Sequence, residues 1–407
     1  MLNLLYSIGI RCYYLAIYLS SFRNQKAKKF IEGRKQIPLD IEKISILYKP
    51  TIWFHCASVG EFEQGYPLLT LLRNQYPKYT YLITFFSPSG YEYVKKKYPS
   101  EHISYLPYDT ETEVDYFIRK INPKIVLFVK YEFWPTLINV LSRRNIPMFL
   151  ISGIFKPDQV FFRWYGHYFK SVLKKMKCFF LQDQKSEELL NLIGIQNTKV
   201  CGDTRFDRVM ELSQEDFSNE KIETFCTNQP VFIAGSVWDS DIPVLKEIIS
   251  ALPSNWKIII APHEVNHFET SWLEDKVDYY SSDIPFTSRT LIINTMGILS
   301  KLYRFSSFNY VGGGFGKGLH NILEPAVYAK PILIGPNFEK FNEAIALVDL
   351  GCVFPIEDLK NIPFLIKKIT TDTLFLEETK NRFNDYISVN TNVSEKIAVY
   401  LKKNVQL

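Results

Sequence analysis

"IWFHCASVGEFEQG", residues 52–65, changes character halfway along. Ile52, Trp53 and Phe54 form the continuous apolar run of a strand covered on both faces. Ser58, Val59 and Gly60 follow, and Glu61 stands where a helix should begin. An acid at a helix start is favoured by the helix dipole. A carboxylate at the carboxyl end of a buried strand is also where an α/β enzyme keeps its chemistry. Spacing alone leaves both readings of Glu61 open.

The same strand-then-helix unit repeats outward from this stretch. "TYLITFFS" (80–87), "KIVLFVK" (124–130), "PMFLISG" (147–153), "CFFLQD" (178–183) and "TKVCGD" (198–203) read as strands. Amphipathic stretches lie between them, among them "FFRWYGHYFKSVLKKM" (161–176). A less apolar segment (211–230) interrupts the rhythm. A second series then runs through "VFIAGS" (231–236), "KIIIAPH" (257–263), "TLIINT" (290–295), "FNYVGGG" (308–314), "PILIGP" (331–336) and "CVFPI" (352–356). Continuous apolar strands alternating with helices predict two doubly wound α/β domains. The expected boundaries are 36–215 and 216–385, preceded by an N-terminal segment (1–35) and followed by a C-terminal helix (386–407) that can return to the first domain.

Bulk properties agree. A length of 407 residues exceeds one ordinary core, and 46% hydrophobic with 22% charged residues is a folded globular composition. The net charge of +5 does not by itself call for nucleic acid, and none is expected as a partner. Six cysteines without a CxxC pair read as reduced, mostly buried thiols, and no metal-ligand spacing is found. "LLYSIGIRCYYLAIYLS" (4–20) is apolar and aromatic but carries Arg11, and is marginal against the ~20 residues a membrane span needs. The basic run "RNQKAKKFIEGRK" (23–35) follows it. Together they predict a membrane-associated N-terminus, spanning or lying on the bilayer, with its basic flank at anionic lipid.

Ligands of open α/β sheets sit beyond the strand carboxyl ends. Polar residues collect there: Ser58, Gly60, Glu61, Lys130 and Glu132 in the first domain, and Ser236 and His263 in the second. The densest signal is "VGGGFGKGLHNILEPA" (311–326), five glycines between a strand and an apolar helix. Backbone amides of Gly313, Gly314 and their neighbours, with Lys317, can face an anion. His320 and Asn321 follow, and Glu324 can accept from sugar hydroxyls or serve as a helix-start acid. The loop is neither a P-loop nor a dinucleotide fingerprint. Glu132, in "KYEFWP", carries the same two readings as Glu61. His102 and His167 read as structural or surface groups. One cleft lined from both domains is the expected arrangement.

"WFHCASVGEFEQGYPLL", "TFFSPSGYE", "YLPYD", "KYEFWP", "CGDTRFDRV", "NTMGILSKLY" and "VGGGFGKGLHNILEPA…KPILIGPNFEKFNEA" resemble, in this order, the bacterial 3-deoxy-D-manno-octulosonic acid (Kdo) transferase family. The resemblance runs to about residue 350. It implies the GT-B glycosyltransferase fold, two Rossmann-like domains facing a central cleft. It further implies CMP-Kdo as donor, a lipid A precursor (lipid IVA) as acceptor, and the cytoplasmic face of the inner membrane as location. By the same resemblance Glu61 is the general base and Glu132 a second acid near the acceptor. Ser236, His263, His320, Asn321 and Glu324 line the nucleotide pocket. No metal or cofactor is implied. The chain departs from the family at Lys130-Tyr131, where Glu-Thr is common, at Val237-Trp238, where Thr-His is usual, and at Pro262, where Arg often stands. Lys130, Lys317 or Arg205 are candidates to compensate. The nearest rivals are a UDP-sugar glycosyltransferase and a nucleotide-sugar 2-epimerase.

Overall fold

Every residue of β1 (Thr51–Cys56) is buried, as its unbroken apolar pattern requires for a strand between two helical layers. The computed structural model describes residues 2–265, 268–316 and 318–405. In it β1 joins β2 (Thr80–Phe85), β3 (His102–Tyr105), β4 (Pro123–Val129), β5 (Met148–Gly153), β6 (Cys178–Leu181) and β7 (Thr198–Val200). These form a seven-stranded parallel sheet in the order β3-β2-β1-β4-β5-β6-β7. A second seven-stranded parallel sheet contains β8 (Val231–Val237), β9 (Lys257–Pro262), β10 (Val277–Tyr279), β11 (Thr290–Ile292), β12 (Phe308–Val311), β13 (Ile332–Ile334) and β14 (Val353–Pro355). Its order is β10-β11-β9-β8-β12-β13-β14. The α/β class and the two doubly wound sheets predicted from the periodicity are therefore present.

β1 pairs with β2 on one side and β4 on the other. β8 likewise sits between β9 and β12. In each sheet the winding reverses direction at this central strand, and loops leaving the two diverging strands open a crevice at their carboxyl ends. The crevice lies at β1/β4 in one sheet and β8/β12 in the other.

The chain divides into two compact units, Met1–Arg208 with Thr391–Leu407, and Val209–Asn390. The expected boundaries at 215/216 and 385/386 thus move to 208/209 and 390/391. The second shift has a local cause. Helices Thr373–Asn390 and Val393–Asn404 are separated by Asn392 in the left-handed region (φ 62°), which ends one helix before the next begins. Asp207 caps the last helix, accepting from the amides of Val393 (3.2 Å) and Ser394 (2.7 Å). Ile397 and Leu401 then join the core of the first unit.

α1 (Leu2–Ser20), α2 (Gln25–Arg34) and α3 (Ile37–Ser45) precede β1. One side of α1 is tied to the first unit through buried Asp109. The Tyr6 hydroxyl donates to its carboxylate (2.6 Å), and the Asp109 amide donates to the Tyr14 hydroxyl (3.1 Å). Asp109 also accepts from the amides of Thr136 and Leu137, the first free donors after Pro135 opens its helix. The other side of α1 exposes Leu4, Ile8, Leu15 and Leu19, whose spacing of four and seven residues makes one stripe. No helix among the described residues is long and apolar enough to cross a membrane, so the spanning alternative for residues 4–20 falls.

Candidate active site

The crevice of the first sheet gathers two carboxylates. α4 (Val59–Gln75) starts directly after β1, with Ser58 at its N-cap and Gly60 and Glu61 in its first turn. The Ser58 side chain does not cap the helix. Glu61 turns back instead, and its Oε2 accepts the Ala57 amide at the strand end. It therefore satisfies the amide just before the N-cap and faces the crevice at once. Glu132 follows β4 and is held by two ring nitrogens at the same oxygen. Trp134 Nε1 donates to Oε2 at 2.8 Å, and His55 Nε2 lies 3.3 Å from it. His55 is fully buried in β1. Its other nitrogen contacts Thr84 Oγ1 at 2.9 Å, and Trp53 Nε1 donates to the same hydroxyl at 2.8 Å. A polar chain thus runs from inside the sheet to Glu132.

Burial first, and the neighbouring Glu132 charge second, push the Glu61 carboxyl above its ordinary range. The Ala57 amide, His55 and Lys130 act in the opposite direction. Lys130 comes immediately after β4 with φ 65°, a left-handed backbone that a β-carbon disfavours by on the order of 1 kcal/mol. Ser152 at the end of β5 (φ 51°) and Ser236 near the end of β8 (φ 54°) share that conformation. Three such residues at strand ends bordering the two crevices mark positions held against local preference. Arg205 is engaged already, its Nε donating to Asp203 at 2.7 Å. Asp203 also accepts from Gln64 on α4 (3.1 Å).

The crevice of the second sheet is organised by a residue the sequence did not flag, Asp241. Its carboxylate, completely buried, accepts the Tyr310 hydroxyl (2.8 Å), the Trp238 amide (2.8 Å) and the Gly313 amide (3.0 Å). One side chain thereby pins the loop after β8 to the glycine loop after β12. The glycines are needed at close quarters. Gly313 has φ 92°, and a β-carbon on Gly314 would come within 2.7 Å of the Gly335 backbone. The amides of Gly312, Gly316 and Gly318 donate to backbone carbonyls, so with Gly313 four of the loop's amides are spent within the protein. The apolar helix expected after the loop is a single turn, Leu323–Ala326. The anion cradle inferred from the glycine count is thus reduced to the remaining groups.

Those groups are aromatic and polar. Trp238, His263 at the end of β9 and His320 stack, with centroids 4.3 Å (Trp238–His263) and 4.4 Å (His263–His320) apart. Trp238 Nε1 donates to His320 Nε2 at 2.7 Å. Burial, and His263 beside it, lower the His320 pKa to about 4. Asn321 Nδ2 donates to Glu324 Oε1 (3.2 Å) while its own oxygen accepts the Leu323 amide. His263, His320 and Gly313 are thus linked through Trp238 and Asp241, Ser236 lies within β8, and Gly314 and Asn321 follow β12 in and after the glycine loop. Lys317 lies outside the described residues.

The sequence did not single out His55, Thr84 or Asp241. An imidazole inside an otherwise apolar strand was the one available signal, in "WFHC". Asp241 gave none, because its partners lie up to 72 residues away.

Residues 25–208 match the family model described as 3-Deoxy-D-manno-octulosonic-acid transferase (kdotransferase). Among curated proteins, a bifunctional glycosyltransferase/methyltransferase of Fusobacterium nucleatum is 27% identical over 97% of this chain, and the chain spans 63% of that protein's length. The 3-deoxy-D-manno-octulosonic acid transferase of Chlamydophila psittaci is 26% identical, covering 82% of this chain and 83% of its own. That of Aquifex aeolicus is 26% identical, covering 79% and 86%. Among solved structures, the UDP-GlcNAc 2-epimerase of Neisseria meningitidis superimposes with TM-score 0.62 at 15% identity, over 87% of this chain and 100% of that one. At that identity the likeness concerns the two-sheet GT-B-like fold alone.

Proposed function

We propose, on the match of residues 25–208 to the Kdo transferase family model, that the chain is an inverting glycosyltransferase that moves Kdo from CMP-Kdo to a lipid A precursor, lipid IVA, in lipopolysaccharide biosynthesis. The observation that carries this reading is the carboxylate pair at the β1/β4 crevice, in which Glu61 is buried and its pKa is raised by that burial and by the Glu132 charge. A carboxylate of raised proton affinity is a better base at neutral pH. Glu61 takes the proton from the attacking acceptor hydroxyl as the bond to the anomeric carbon of Kdo forms. The CMP phosphate leaves from the opposite face, so configuration inverts. Glu132, fixed in place by Trp134 and His55, raises the Glu61 proton affinity through its negative charge. Lys130 offsets part of the negative charge and supplies a cation near the acceptor. The donor nucleotide is assigned to the β8/β12 crevice, with Ser236, His263, Gly314, Lys317, His320, Asn321 and Glu324 as its contacts.

Incubation with CMP-Kdo and tetraacylated lipid IVA should yield a product heavier by one or more Kdo residues, read by mass spectrometry. Turnover of a UDP-sugar in place of CMP-Kdo, or epimerisation of a nucleotide sugar without transfer, would replace this reading by one of its rivals.

A lipid acceptor stays in its bilayer, so the enzyme must reach it there. The exposed stripe Leu4, Ile8, Leu15 and Leu19 supports an interfacial lie of α1 on the cytoplasmic face of the inner membrane, with Lys26, Lys28 and Lys29 at the headgroups. Trp164, 92% exposed, and Tyr165 present a second aromatic tip close in sequence to Tyr168 and Phe169, which pack on Tyr6 of α1. The variant with Leu4, Ile8, Leu15 and Leu19 changed to Ser should stop floating with anionic vesicles. Undiminished flotation would remove α1 from the membrane contact.

A further inference from the structure

The donor crevice contains an aromatic residue where the resembled family usually has His, and its contacts give it a definite task. We propose that Trp238 locks His320 as the neutral tautomer protonated on Nδ1, so that His320 presents a fixed, uncharged hydrogen-bond donor to a phosphate oxygen of the bound nucleotide. The assignment of the ligand rests on the reading of the β8/β12 crevice as the donor site; the tautomer does not.

An indole N–H can only donate. Its 2.7 Å bond to His320 Nε2 therefore requires a lone pair on that nitrogen, and the one proton of a neutral imidazole must sit on Nδ1. The ring geometry agrees, because the two rings lie side by side, centroids 6.1 Å apart and planes 13° apart, as an in-plane N–H···N bond demands. Protonating Nε2 would break this bond and set two N–H groups against each other. Nδ1 has no protein partner among the described residues, so its proton is available to a ligand.

The surroundings oppose a charged ring as well. His263 stacks on His320, and burial removes solvent; together they hold its pKa down to about 4. Asp241 is engaged by Tyr310 and two amides, while Asp239 and Glu264 line a small cavity with Val237, Trp238 and Phe268. Trp238 itself cannot drift, since its backbone amide is bonded to the carboxylate that fixes the Gly313 amide. Trp238 is thus a positioning residue acting through His320. A cationic His would make nucleotide affinity vary between pH 5 and 8, whereas a locked neutral donor keeps it level.

The test starts with the unmodified full chain, labelled with 15N-histidine. The His320 signals, assigned by their loss in His320→Gln, should show the Nδ1–H tautomer and no titration from pH 8 to pH 5. A protonated Nε2, or a titration near the ordinary value of ~6.5, overturns the lock outright. Trp238→Phe retains an aromatic ring on His263 but loses the N–H. It should bring a His320 titration into the pH 5–8 range and add a matching inflection to the pH profile of the KM for CMP-Kdo. His320→Gln should raise that KM roughly 10- to 100-fold, the usual effect of losing a hydrogen bond to a charged group. An unchanged KM beside an intact tautomer would overturn the phosphate contact and, with it, the placement of the donor.

Discussion

Glu61→Gln is expected to lower kcat roughly 10²–10⁴-fold while leaving the fold and the KM for CMP-Kdo close to those of the unmodified chain. That range is what removal of a general base ordinarily costs. The substitution isolates chemistry from structure, because the Gln carbonyl oxygen can still accept the Ala57 amide that Glu61 holds. Stability gives an independent check. The folded-state pKa of Glu61 is raised, so its proton contributes stability below the ordinary carboxylate pKa, and that stability is lost as pH rises through the raised value. Gln removes that titration, so the Tm of the variant relative to the unmodified chain should rise as pH is raised. Near-normal turnover of a folded Glu61→Gln protein would end the base assignment.

The second carboxylate gives this result a companion with a definite sign. Glu132 raises the Glu61 pKa, so Glu132→Gln should lower it and move the acid limb of the kcat/KM profile to lower pH. The plateau falls less than in Glu61→Gln, because the base remains but is weaker. A limb that stays in place would mean that Glu132 does not act on Glu61.

How far these features were legible depended on the range over which each was specified. β1 and β8 were visible because a strand covered on both faces must be apolar throughout, a property of six or seven neighbouring residues. β3 and β10 were not expected, being only four and three residues long and partly polar. The stretch 161–176 read as amphipathic throughout, yet its α-helix is only His167–Leu173. Gly166 explains the delay, since the chain folds so tightly there that a β-carbon would collide with the Val160 carbonyl. Glu61 and Glu132 were singled out because position after a buried strand is itself a signal. The glycine loop stood out, but nothing local reveals that four of its amides are taken by Asp241 and by backbone carbonyls. His55 escaped for the opposite reason. Its place within an apolar strand reads as an exception, and only the approach of Thr84 from β2 and Glu132 from beyond β4 turns it into a link.

Asp241→Ala should be among the most damaging single substitutions in the second unit. It leaves the Tyr310 hydroxyl and the amides of Trp238 and Gly313 without their acceptor. Each buried, unsatisfied donor costs about 1–3 kcal/mol, and removing a buried carboxylate returns part of that by ending its own desolvation. A net loss of roughly 3–5 kcal/mol follows. For a unit of this size that corresponds to a fall in Tm of roughly 6–20 °C. Asp241→Asn should fall between the two, because its amide oxygen can accept but its NH₂ group must face donors. Function should fail before the fold does. Once Asp241 no longer joins the β8 loop to the glycine loop, Trp238 loses its backbone anchor and its indole no longer holds His320 Nε2. The nucleotide KM should therefore rise in Asp241→Asn at temperatures where the protein is fully folded. If Asp241→Ala melts with the unmodified chain, the two loops are held together by something other than this carboxylate. In that case the order of the donor crevice comes from the glycine packing between Gly314 and Gly335 instead.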